Sequence, residues 1–354
     1  MKILGIETSC DETAAAVIED GHTLLSNEIL SSMDLHAEYG GVIPEIAARS
    51  HIEAVIPVIN NALKSANLTM LDIDGIAVTQ GAGLSGSLLI GVLTAATLAI
   101  DFKKPLFPVN HVRGHVYANF LTQSKLDNYT MPQSQPTFPL LAIIVSGGHT
   151  QLALFKSHLE YDLLGVTRDD AIGEAFDKVA KIIGLPYPGG PAVSELAKQG
   201  NPSKYKLPEA KLDSKYDFSF SGPKTAVLRL AQAEIGEDFN FPSFRIANRL
   251  KMTQKADIAA SFQASVVSTI TSKVKYAISE FNPKSVVIAG GVAANLALRS
   301  AIKELITDQV LIVPDQKLCT DNAAMIATRG YFQIVNGIDP IDPFEIDVLP
   351  NLKM

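Results

Sequence analysis

Apolar runs and polar turns alternate along this chain, and the alternation is laid down twice. Residues 3–8 form a short, mostly apolar run, the polar turn Ser9-Cys10-Asp11-Glu12-Thr13 follows, and residues 14–18 are apolar again. That pattern predicts a β-hairpin with a polar tip. The plan returns at residues 140–145, with the turn Ser146-Gly147-Gly148-His149-Thr150 and a second apolar run over 152–155, so the chain restarts near Pro139. Each half then holds a long helical segment, 46–66 in the first and 170–183 in the second. Each also holds a strand, a glycine turn and a helix, around Gln80-Gly81-Ala82-Gly83 and around Ala289-Gly290-Gly291-Val292. Two similar α/β lobes are the expected result.

The first lobe is expected over 1–122 and the second over 140–320, with a helix at about 321–336 completing the first. Between the lobes, residues 123–139 are polar and hold Pro132, Pro136 and Pro139, which reads as an exposed linker or insertion. The tail, 337–354, carries Pro340, Pro343 and Pro350 and is expected to be irregular, wrapped on the surface or partly disordered. Residues 75–100 carry no charge, a length sufficient to cross a bilayer. Gly81, Gly83 and Gly86, with Gln80 and Ser85, instead divide them into a strand, a turn and a helix over 87–99, the buried core of an α/β domain.

Composition narrows the class. With 354 residues and 47% hydrophobic content the chain exceeds one ordinary domain and can bury a large core. Thirty basic residues against 37 acidic ones, a formal charge of −7, exclude a surface built throughout to hold nucleic acid and leave room for a local basic patch. Cys10 and Cys319 are the only cysteines and the first residues lack a secretory signal pattern, so a cytoplasmic protein without membrane contact is expected.

The chemistry starts from His111 and His115, because four-residue spacing on a helix stacks two imidazoles on one face, within reach of one ion. A pair of surface or core histidines near a helix start is the alternative. An i,i+4 pair leaves a coordination shell open, and Asp321, in Cys319-Thr320-Asp321-Asn322, is the chosen third ligand, although an Asp there also makes a good helix N-cap. Two glycine turns facing each other across a cleft, Ser146-Gly147-Gly148 and Gly290-Gly291, suit phosphate oxygens; the second follows a strand and is expected to open a helix whose first N–H groups point at an anion. Asp11 and Glu12, at the first hairpin tip, are candidate general bases or, equally, ordinary turn residues, and Glu12 has the further option of orienting a metal-bound water or histidine. Arg245, Arg249, Lys251 and Lys255 lie in one acid-free stretch that reads either as a phosphate-contacting surface or as a solvated helix face.

These residues sit in seven motifs: Ile6-Glu7-Thr8-Ser9-Cys10-Asp11-Glu12-Thr13, the His111/His115 pair, Val145-Ser146-Gly147-Gly148-His149-Thr150, Gly173-Glu174-Ala175-Phe176-Asp177-Lys178, Tyr187-Pro188-Gly189-Gly190-Pro191, Phe218-Ser219-Phe220-Ser221-Gly222 and Cys319-Thr320-Asp321-Asn322. Together, from residue 2 to about 331, they closely resemble the TsaD family, the tRNA adenosine threonylcarbamoyltransferases once described as O-sialoglycoprotein endopeptidases. The resemblance implies a duplicated two-lobe α/β fold of the actin/Hsp70/sugar-kinase type with a central nucleotide cleft. It implies transfer of threonylcarbamoyl from threonylcarbamoyl-AMP to N6 of the adenosine on the 3′ side of the anticodon, in tRNAs reading codons that begin with A. It also implies iron held by His111, His115 and Asp321, with zinc suited to the same donors. Substrate contacts are implied at Ile144, Val145, Ser146, Gly147, Gly148, Asp177, Gly190 and Asn295, and as partners tRNA, the inactive paralogue TsaB and the ATPase TsaE. One position departs: many relatives carry an acid where this chain has Ser194. Asp177 read alone is equally an exposed helix residue near Lys178 and Lys181. A zinc metalloprotease is disfavoured because Val112 stands where His-Glu-x-x-His puts its base, and a sugar or acetate kinase has no use for the histidine pair.

Overall fold

The computed structural model describes residues 1–37, 39, 41–210 and 212–354. Strands β1 (Lys2–Glu7), β2 (Glu12–Glu19), β3 (Thr23–Ser31), β4 (Gly75–Gly81), β5 (Leu106–Asn110) and β6 (Gln123–Ser124) form one sheet in the order β5-β4-β1-β2-β3-β6. Strands β7 (Leu140–Val145), β8 (Thr150–Phe155), β9 (Tyr161–Val166), β10 (Ser285–Ala289) and β11 (Val310–Ile312) form a second in the order β11-β10-β7-β8-β9. Without β6 the two orders are the same. In each, three strands meander antiparallel and two more add in parallel on the far side of the first. The repeat in the sequence is a repeat of topology.

Helices α1 (Met33–Ala37), α2 (Pro44–Ser65), α3 (Ser85–Phe102), α4 (His111–Tyr117), α5 (Ile172–Ile183), α6 (Gly189–Ala197), α7 (Ser221–Glu234), α8 (Met252–Phe281), α9 (Leu296–Leu305) and α10 (Ala323–Val335) make the connections. Alternate residues of a strand face opposite ways, so a strand covered on both faces is apolar throughout. Thus Leu4, Ile6, Ala15 and Val17 pack with α2 and α3, while Ile3, Ala14, Ala16 and Ile18 pack with α10. In the second sheet Leu141, Ile143 and Val145 pack with α5 and α8, whereas Leu140, Ala142 and Ile144 meet Val112, Val116 and Tyr117 of α4 and Phe332 of α10. Helices α4 and α10 are therefore a layer shared by the two sheets. Each fully buried Val, Ile or Phe in that layer contributes roughly 1.5–3 kcal/mol of transfer free energy, so the helix that carries His111 and His115 is fixed from both sides.

Helix α3 is long and apolar enough to cross a membrane, and, as expected of a core helix, its Leu88, Val92, Ala95 and Ala99 are buried against the first lobe. Two other expectations are corrected. The segment 123–139 is not a detached linker: Gln123 and Ser124 pair with β3, and Leu126, Tyr129 and Met131 pack on the first lobe's core. Gly290-Gly291 does not open an α-helix. Gly290, at φ +91°, turns the chain into a short 3-10 segment, Gly291–Ala294, and α9 begins only at Leu296, capped by Asn295. The amides that follow that glycine turn therefore belong to a four-residue 3-10 segment and not to the first turn of an α-helix.

Candidate metal centre and adjoining cleft

Helix α4 starts at His111 because Asn110, the last residue of β5, caps it: the Asn110 side-chain oxygen accepts from Arg113 N at 3.0 Å. One turn on, His115 lies on the same face, and the two rings meet edge to face with centroids 4.7 Å apart. Asp321 comes from the loop before α10. The capping role proposed for it belongs to Asn322, whose side-chain oxygen accepts from Met325 N at 3.0 Å, and Asp321 is left free to face the histidines. Its Oδ1 is 3.5 Å from His111 Nε2 and 3.3 Å from His115 Nε2, and ligand atoms of all three residues lie within 4.8 Å of one another. Donors bound to one ion at 2.0–2.2 Å in a tetrahedron stand about 3.4 Å apart. Among the described residues neither ring nitrogen of His115 has a hydrogen-bond partner, despite 1% exposure. Buried polar atoms are rarely orphaned, and two imidazoles with a carboxylate at these separations fit a divalent first-row ion such as iron or zinc.

A residue that the sequence did not single out organises the pair. Glu7, fully buried at the end of β1, accepts from His111 Nδ1 at 3.0 Å, and the Ser9 hydroxyl lies 3.1 Å from the same nitrogen. The Glu7 carboxylate is itself held by Ser9 N and the Thr79 hydroxyl, both at 2.5 Å. Proton on Nδ1 leaves Nε2 as the donor, so Glu7 sets the tautomer that metal binding requires. The ion-pair network is strong: burial opposes charge, yet the neighbouring Asp321 and Glu7 carboxylates hold His111 well above its ordinary pKa. Burial likewise opposes ionisation of Asp321 and Glu7, and His111 more than reverses it, leaving both carboxyls below their usual range. The signal for Glu7 was a lone acid in an otherwise apolar strand. Hydrophobic patterning marks such a residue without saying what it meets.

Asp11 and Glu12 stand beside this centre. Burial, then the charges of Asp321 and Asp11, push the Glu12 carboxyl up to about 10, so it is protonated at neutral pH and bonds to Asp11. Across the cleft, Ser146 closes the β7–β8 turn: its N–H donates to His149 O at 2.8 Å and its hydroxyl accepts from His149 N at 3.1 Å. At Gly147, Gly148 and Gly190 an added methyl would meet no protein atom within 4 Å, so these backbones face open space. His149, which the sequence reading passed over, is pushed down to about 4 by burial and by His111 and His115, and thus brings a neutral imidazole from the second lobe toward the pair. The Tyr187 hydroxyl, raised by burial and then by Asp11 and Asp177, lies between residues of the two lobes.

Other expected contacts are placed differently. Ile144 and Val145 have side chains buried in the two cores, so only their backbone borders the turn. Asp177 is partly engaged: Gly189 N donates to it at 2.7 Å, while burial outweighs the Gly189 and Gly190 amides and raises its pKa. Lys178 pairs with Asp170 and Glu174. Asn295 uses its oxygen to cap α9 and its amide to reach Ser194 Oγ at 2.9 Å and Gln263 Oε1 at 3.0 Å. The basic stretch is not one helix face. Arg245 ends a short 3-10 turn, Arg249 is in a loop paired with Glu237, and Lys251 and Lys255 lie at the start of α8.

The chain is similar to known proteins along nearly all its length. The model of the family described as "TsaD: tRNA N6-adenosine threonylcarbamoyltransferase" matches residues 23–328. Proteins named tRNA N6-adenosine threonylcarbamoyltransferase are 50% identical in Thermomicrobium roseum, covering 96% of this chain and 93% of that one, and 48% identical in Caldicellulosiruptor bescii, covering 100% and 98%. Among solved structures, full-length HypF in its phosphate- and nucleotide-bound form shares the fold at a TM-score of 0.57 with 14% identity, over 95% of this chain and 47% of HypF. The duplicated sheets and shared central layer are those of the actin/Hsp70/sugar-kinase type. In fold, motif order and sequence, this chain belongs to the TsaD family of tRNA N6-adenosine threonylcarbamoyltransferases.

Proposed function

We propose that the enzyme moves the threonylcarbamoyl group of threonylcarbamoyl-AMP to N6 of the adenosine on the 3′ side of the anticodon, in tRNAs reading codons that begin with A, with one divalent ion, iron or zinc, held by His111, His115 and Asp321. The observation that carries this reading is the convergence of those three donors, with His149 of the open glycine turn close enough to feel the charge of all three. In the reaction the N6–carbon bond forms, the carbon–oxygen bond to phosphate breaks, AMP leaves with the electron pair, and N6 loses a proton. The anhydride is already activated, so alignment and oxyanion stabilisation are the main tasks. A bound divalent ion would supply Lewis acidity at the carbamoyl oxygen.

The chain's own residues do the rest. The Ser146-Gly147-Gly148 turn and Gly190 present backbone to the adenylate, and the Asp177 carboxylate, with acceptor capacity beyond its amide bonds, is suited to a ribose hydroxyl. Asn295, whose amide is taken up by Ser194 and Gln263, borders the adenosine end. Glu12, held protonated by burial and by the charges of Asp321 and Asp11, is the poorer acceptor for the proton released from N6, which leaves Asp11 as the candidate base at this tip. For tRNA, α7 and the loop before α8 offer cations over exposed aromatics: Arg229 of α7 lies 4.2 Å from the ring centre of Phe239 and Arg245 5.5 Å from that of Phe244, both rings 74% exposed. Such pairs suit phosphate and base together. Ile52 and Ile56 of α2 and Leu89 and Leu93 of α3 form an exposed apolar face that fits a protein partner, for which the paralogue TsaB is the reading, with the ATPase TsaE joining a cytoplasmic assembly.

The test is transfer of threonylcarbamoyl to unmodified tRNA by the purified chain with its partner proteins, with casein cleavage and ATP-dependent sugar phosphorylation as controls. His115→Ala and Asp321→Ala are each expected to lower transfer at least ~100-fold and to remove bound metal, with the fold retained. Undiminished transfer and metal content in both variants would refute the assignment.

A further inference from the structure

The tail after α10 forms specific contacts around the candidate metal centre. Ile341 N donates to Leu106 O at 2.9 Å, at the start of the edge strand β5. At the other end of that strand Asn110 donates its side-chain amide to Lys353 O at 3.1 Å, while its oxygen caps α4. Between these points the tail crosses the β4–α3 turn. Leu349 N donates to Gln80 O at 2.8 Å, Gln80 Nε2 to Asp347 O at 2.9 Å, and Gly83 N to Pro350 O at 3.0 Å. The approach is so close that a methyl at Gly81 would lie 1.9 Å from Leu349 O, so only glycine fits.

Both anchor points lead to His111. The turn continues into Leu84, whose N–H donates to Ser9 O at 2.8 Å, and the Ser9 hydroxyl is 3.1 Å from His111 Nδ1. Asn110 is the residue before His111, and its side chain is shared between the helix and the tail. We propose that residues 347–353 are a positioning segment for the histidine pair, a strap that holds the α4 cap and the Gln80–Gly83 turn and so sets the approach of His111 to Asp321. The inference rests on the metal-centre reading above and extends it to a part of the chain without ligands.

Two variants of the full chain test it. One ends after Val348; the other is Asn110→Asp, which keeps the capping oxygen but puts a carboxylate oxygen against the Lys353 carbonyl. Amide hydrogen exchange in α4 is measured without metal, and Co²⁺ affinity is measured as a probe of the centre. Both variants are expected to exchange α4 amides at least ~10-fold faster than wild type and to bind Co²⁺ ~10- to 100-fold more weakly. A merely structural cap gives the opposite result for Asn110→Asp, since Asp is as good an N-cap as Asn and its charge favours the helix N-terminus. Unchanged α4 exchange in the shortened chain overturns the proposal. Faster exchange in a protein whose wild type binds no Co²⁺ supports the strap and sinks the metal reading, which separates the two failures.

Discussion

The two hairpin tips, β1–β2 in the first lobe and β7–β8 in the second, stand on the same strand plan and do different chemistry. The first is closed: Glu7 has no exposure and Asp11 9%, and its acids are turned inward toward His111 and Asp321. The second is open, with Gly147 and Gly148 exposed and only Ser146 holding the turn from within. Burial makes carboxylates costly unless paired, and paired they fix a cation site. Exposed glycine leaves backbone N–H groups for an anion. On the function proposed above, equivalent tips of a duplicated scaffold would serve opposite charges, the closed acidic tip a cation and the open glycine tip an anionic ligand.

Breaking the closed tip is expected to give the largest effect. Glu7→Gln keeps the volume but presents an amide to three donors, so His111 loses its tautomer control; metal affinity should fall ~10- to 100-fold while the Michaelis constant for threonylcarbamoyl-AMP stays near wild type. Metal titration beside steady-state kinetics checks this, and an unchanged metal affinity would remove Glu7 from the centre. Filling the open tip should do the converse. Gly148→Val places a side chain in the space left for the adenylate, and a loss of about 1.4 kcal/mol of binding corresponds to a tenfold rise in the Michaelis constant. Metal content should be unchanged, and loss of metal in this variant would mean that the two tips are not separable. The smallest effect lies outside both. Arg249 is already paired with Glu237, so Arg245→Gln alone should reduce the salt slope of tRNA binding by about one, and Arg249→Gln by less. Equal slopes for the two variants would show that the Glu237 pair does not survive tRNA binding.

Much of the fold was legible because its signals are periodic. The repeated apolar run, polar turn and apolar run gave the two sheets, and the uncharged residues 75–100 gave β4 and α3. The third strand, β3, was not seen, since its outer residues are exposed and its Ser26, Asn27 and Glu28 interrupt the apolar pattern. The glycine turn at Gly290 misled, because a strand followed by two glycines looks alike whether an α-helix or a 3-10 turn comes next.

By itself the sequence determined the duplication, the histidine pair at helical spacing and the family, all of which are carried by local spacing or by motif order. Only the tertiary structure decided what those residues meet. It brings Asp321, 206 positions after His115, to 3.3 Å from it, gives the N-cap to Asn322 instead, ties Glu7 to His111 and lays the tail along β5. The physical reason is that spacing along a chain fixes only neighbours within a turn or a strand pair, whereas convergence of distant residues depends on how two buried sheets pack against a shared pair of helices.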